Sequence, residues 1–211
     1  MSVRFDIGAP FNFSSYQYWI VFNVSGNGLT PDTQPFQSNW AAYSGAIEIA
    51  GVNGATAAYP IQFVKNPSQP HATPHFQYLP TTPQNFQYNL NSNGAGTEVT
   101  VIFQRAIFTH PINSPAPSPT PVSNTWLFNA FTTQANSQAQ LVFVDSMGAG
   151  GPGVPQYSSP SLNITQCFDN LLYALSSGLQ IDPPAQIVSV ELANNPTNGG
   201  CGESPSSRVR R

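Results

Sequence analysis

The sequence predicts an all-β protein: an antiparallel β-sandwich, jelly-roll-like, folded as a single domain with one short amphipathic helix at about 162–177. Three observations carry this expectation. Apolar side chains alternate with polar ones over several short runs, which is the period of a strand with one face against a core. Clusters of Gly, Pro, Asn and Ser separate those runs at short intervals. The chain has 211 residues, a size at which a sandwich remains one domain.

Tyr16 to Val24 is the clearest run, with Tyr16, Tyr18, Ile20, Phe22 and Val24 on one side and Gln17, Trp19, Val21 and Asn23 on the other. Ser25-Gly26-Asn27-Gly28 ends it with turn chemistry. A second strand is expected from Tyr43 to Ala50, and Tyr59, Ile61 and Phe63 suggest a third. Prolines 67, 70, 74, 80 and 83 make the next stretch a loop, since each removes a ladder donor, with Phe76 and Tyr78 as a short edge piece inside it. Phe86, Tyr88 and Leu90 and then the run Val99 to Phe108 read as a hairpin across Asn91–Gly96. The second arm is apolar on both faces, as suits a central strand.

Five prolines between Pro111 and Pro121 read as an extended surface crossover of the kind Greek-key wiring needs. Thr125–Phe131 and Ala139–Val144 form a further pair, and Ile187–Leu192 is the last strand of a domain spanning 1–192; residues 193–211 read as a polar tail. Ile164, Phe168, Leu171, Leu172 and Leu175 recur at helical spacing, with Ser161 or Thr165 as a cap and Gly178 as a stop. These residues are the basis of the expected helix.

Composition bounds the function. Charged residues make up 7% of the chain, against about 25% in an ordinary soluble domain, and Lys65 is the single lysine. A chain so poor in charge would be read as disordered if it also lacked aromatics, but 14 Phe, 8 Tyr and 3 Trp argue for a folded core. Its surface must then be built from Asn, Gln, Ser, Thr, Gly and Pro, and a net charge of -3 opposes association only weakly. No run approaches the ~20 apolar residues of a membrane helix, and the N-terminus lacks the apolar core of a signal peptide. Localisation stays open between an assembled particle and a leaderless extracellular structure.

No constellation points to catalysis, a cofactor or a metal. The glycines at 148, 150, 151 and 153 are followed by Pro152, Pro155 and Pro160 where a phosphate-binding loop needs a helix N-terminus. His71 and His75 are flanked by prolines and have no third ligand nearby. There is no Gly-x-Ser-x-Gly, and Cys167, on the flank of the expected helix, reads as a packed thiol or as the partner of Cys201 in a disulfide. Arg208, Arg210 and Arg211 hold half the positive charge on the tail, too narrow a basic feature to point to nucleic acid.

Trp19, Trp40, Tyr43 and Trp126 are the candidate ligand or interface aromatics, because a ring face beside Asn and Gln can hold a sugar or a neighbouring protein. The sequence therefore suggests a non-enzymatic structural subunit that packs with copies of itself or other structural proteins, in a particle shell, filament or surface layer. The alternative is an extracellular glycan-binding module.

Overall fold

The computed structural model describes residues 1–24, 45–52, 55–64, 75–90, 96–109, 123–135, 141–146, 161–174 and 181–195. The described residues form twelve strands in two antiparallel sheets: β1 (Ser2–Ile7), β2 (Gln17–Asn23), β3 (Gly45–Val52), β4 (Ala55–Val64), β5 (His75–Tyr78), β6 (Phe86–Leu90), β7 (Glu98–Phe103), β8 (Thr125–Ala135), β9 (Leu141–Ser146), β10 (Ser161–Asn163), β11 (Phe168–Ala174) and β12 (Ile187–Asn194). The five-stranded sheet runs β11-β12-β1-β7-β6; the seven-stranded sheet runs β10-β8-β2-β3-β4-β5, with β9 also pairing β8. The first and last strands are therefore neighbours, and the chain passes between the sheets after β1, β5, β7 and β10.

Alternation explains the layering. Tyr18, Ile20 and Phe22 of β2 enter the core from one sheet and meet Val3 and Phe5 of β1, Val99, Val101 and Phe103 of β7, and Val190 and Leu192 of β12 from the other. Register keeps the faces in phase: Phe5 lies opposite both Val99 and Val190, and Ile20 opposite both Ile47 and Ala130. A one-residue slip would turn each of these sets to the other face. On β2 the opposite set is buried too, Trp19, Val21 and Asn23 included.

Pro60 lies inside β4, where a proline would ordinarily break a ladder. Its carbonyl accepts the Leu79 N–H at 2.9 Å, just past the end of β5. Because a strand residue's nitrogen and carbonyl point the same way, the missing donor also faces the end of β5, and the β3–β4 ladder loses nothing.

The expected helix at 162–177 is corrected: the described residues there form β10, a turn and β11. Helical spacing in a short apolar run does not separate helix from buried strand, and one local turn together with long-range hydrogen bonds decides against the helix. Asn163 Oδ1 accepts from the Thr165 N–H at 3.1 Å and from its hydroxyl at 2.7 Å, closing a turn. The Ile164 and Gln166 carbonyls, which a helix would use internally, accept from Asn194 Nδ2 at 3.0 and 2.7 Å, and Arg105 donates to Ile164 as well. β11 then extends the sheet beyond β12.

Among the described residues a short α-helix, α1 (Ala106–Thr109), ends the run read as a strand from Val99 to Phe108. Its Phe108 turns inward to within 5.4 Å of the Phe22 and Phe103 ring centroids. Gly45 makes room for it, since a Cβ there would lie 2.5 Å from Phe108 Cδ1.

The opposite end of the sandwich is closed by rings and by one hydroxyl. Phe11 stacks on Phe13 at 5.5 Å, and both meet Tyr18 edge-on. Gly96, at φ +70 where a Cβ is disfavoured, supplies the carbonyl that holds Phe11 N–H at 3.0 Å. Tyr18 donates to the Pro184 carbonyl at 2.9 Å and accepts from the Asn12 N–H at 3.0 Å, joining two loops from distant parts of the chain. Burial is the main reason its pKa rises to about 12. Tyr18→Phe keeps the ring but orphans both partners, so a loss of ~1–3 kcal/mol is expected, measured by chemical denaturation.

Candidate interaction surface

Two of the four candidate aromatics lie in the interior. Trp19 is buried on the outer side of β2, its indole N–H donating to Thr133 Oγ1 at 2.9 Å. Trp126 is fully buried in the core and packs edge-on against Phe22 at 5.9 Å. Neither presents an open ring face of the kind the glycan alternative calls for. Trp40 and Tyr43 lie outside the described residues, as do Arg208–Arg211, the glycine loop at 148–153 and His71.

Cys167 is exposed in the turn after β10 and is disulfide-bonded, so it is not the packed thiol that the helical reading placed there. Cys201, the chain's other cysteine, lies outside the described residues.

The described charged side chains are engaged within the fold. On the solvent side of the five-stranded sheet, Arg4 lies 2.5 Å from Glu191, 3.5 Å from Asp6 and 3.8 Å from Glu98, linking β1 to both neighbours. Asp6 also accepts from the Ser189 hydroxyl at 2.8 Å. Desolvation, and then the nearby Asp6, push the Glu98 carboxyl above the usual range. Asp145, on β9 of one sheet, is buried and accepts the Ile187 N–H of the other at 2.8 Å. That amide lies where the β1–β12 register shifts, so a carboxylate replaces a ladder acceptor and ties the sheets together. Asp182 accepts from the Tyr16 hydroxyl at 2.7 Å.

Among the described residues, the large exposed hydrophobic side chains include two tyrosines and an isoleucine. Tyr78 is 61% exposed, Ile102 52% and Tyr88 44%, enough to put all three within reach of a partner. Tyr78 ends β5; its ring meets Tyr59 edge-on at 5.6 Å and its hydroxyl donates to Glu48 Oε2 at 3.1 Å. Tyr88 and Ile102 sit on β6 and β7 at the far edge of the other sheet. Sequence reasoning placed Tyr78 on an edge piece but missed Tyr88 and Ile102 as a surface, because alternation gives a face but not a strand's position in the sheet. No group of three or more metal-ligating side chains occurs among the described residues, and none of their helices is long and apolar enough to cross a membrane. No family model, no curated protein and no solved structure matches the chain.

Desolvation raises the Glu48 pKa above the ordinary carboxylate range, with the Tyr78 hydroxyl pulling the other way. An acid raised in the folded state holds its proton more tightly there than in the unfolded chain. Stability is therefore highest below the ordinary carboxylate value and declines as pH climbs through the folded-state value. Glu48→Gln retains an acceptor for Tyr78 and removes the titration. Thermal melts should find it close to the parent chain at acid pH and more stable at neutral pH.

Proposed function

We propose that this chain is a non-enzymatic structural subunit, a β-sandwich that packs against copies of itself or other structural proteins in a particle shell, filament or surface layer. One observation carries the reading: of the described edge strands, β5, β6 and β10 contain no Asp, Glu, Lys or Arg, and β9 and β11 carry a single aspartate each and no lysine or arginine. Proteins that must stay apart blunt their sheet edges with charge, above all lysine, and this chain has one lysine in 211 residues.

The energetic argument points the same way. Burying an ionised side chain against a neighbour costs several kcal/mol unless it is well paired. An uncharged amide and hydroxyl surface avoids that cost, and contacts between copies then draw on apolar burial and hydrogen bonds. The described carboxylates support a non-enzymatic role because each of Asp6, Asp145, Asp182 and Glu191 already has a structural partner.

Electron microscopy of the purified chain, with sedimentation across a wide concentration range, tests the proposal. Mass that grows with concentration and particles of regular repeat are expected. A single sedimenting species of monomer mass at the highest attainable concentration would contradict it.

A further inference from the structure

We infer that β6 is the edge through which two copies of this chain pair, antiparallel and about a twofold axis passing beside Tyr88. The inference rests on the structural-subunit reading and names the surface it uses.

The direction of the backbone groups on β6 follows from its neighbours. Phe103 accepts from the Met1 amino group at 3.0 Å and donates to the Met1 carbonyl at 2.9 Å, so its main-chain groups point toward β1. By the two-residue period, those of Val101 and Val99 do the same, while those of Ile102 and Thr100 face β6. Ile102 lies opposite Gln87, and Thr100 opposite Asn89. Gln87 and Asn89 therefore spend their backbone bonds on β7, and Phe86, Tyr88 and Leu90 direct theirs away from the sheet. The Phe86 N–H is taken by the Thr82 carbonyl at 3.0 Å. The Tyr88 N–H and carbonyl have no partner among the described residues, at a residue whose exposure leaves the edge open.

Among the described edge strands, β6 is the one fit for continuation. β5 has four residues and β10 three. The β9 and β11 ladders each contain a register shift and each strand carries an aspartate. The β6–β7 ladder is regular over its whole length, and the strand is Phe-Gln-Tyr-Asn-Leu, without charge, proline or glycine.

That sequence also identifies the partner as a second copy. Reversed about Tyr88 it meets itself with amide opposite amide, Gln87 against Asn89, and apolar opposite apolar, Phe86 against Leu90. Tyr88 then exchanges both backbone bonds with Tyr88 of the other copy, and each Leu90 N–H reaches the other copy's Phe86 carbonyl. No like charges face each other, which would oppose such pairing, and a self-complementary edge closes as a twofold. The two five-stranded sheets become one continuous sheet.

The test uses the full chain and two exposed positions that lie outside the core. Gln87→Lys with Asn89→Lys sets like charges opposite each other across the axis, and Gln87→Glu with Asn89→Glu does so with the other sign. Sedimentation equilibrium should find each double variant associating about tenfold more weakly than the parent chain, with circular dichroism unchanged. An equimolar mixture of the two should recover the association, because lysine then faces glutamate. Double variants that associate like the parent chain, or a mixture that recovers nothing, would overturn the β6 pairing while leaving the subunit reading intact. A parent chain that stays monomeric would remove both.

Discussion

The described fold depends on two sheets sharing one apolar interior, and β2 is where that requirement is strictest. Tyr18, Ile20 and Phe22 fill the space against β1, β7 and β12, while Trp19 and Val21 on the reverse side are buried as well. A strand buried on both faces cannot slip by one residue without moving Trp19 and Val21 into sites shaped for other side chains. Its pairing with β3 and β8 therefore positions the rest of the seven-stranded sheet.

A sandwich needs more than apolar contact to close its ends, and polar groups supply the remaining ties. Tyr18 joins the loop after β1 to the turn before β12, Asp145 crosses between sheets to Ile187, and Arg4 holds three strands through their carboxylates. A chain with so few charges, whose described ion pairs and carboxylate bonds lie within its own architecture, opposes a neighbour only weakly.

Much of the fold was legible from alternation. The β2 run, the β6–β7 hairpin and the β8–β9 pair could be read because polar and apolar residues take turns there. The edge position of Phe76 and Tyr78 followed from the surrounding prolines. The strand β1 was overlooked, although Val3, Phe5 and Ile7 alternate, because Gly8 and Pro10 cut the run short. The helix expected at 162–177 failed for a different reason. Its periodicity is real in the sequence, but Asn163, Asn194 and Arg105 compete for its backbone groups, and the last of these lie far away in the chain. Of the candidate surface, composition gave the lack of charge; the exposed edge at Tyr88 and Ile102 needed the order of strands in the sheet. For Trp126 the sequence left core and surface both open, since a position near a strand start does not say whether the ring turns inward; it is buried in the core.

An uncharged skin makes a specific demand on how copies meet. Contacts built from ion pairs weaken as salt screens them, whereas contacts built from apolar area and backbone bonds do not. Sedimentation of the chain in rising salt is the most direct measurement of this. The account predicts association that holds or strengthens as ionic strength increases; dissociation by moderate salt would contradict it.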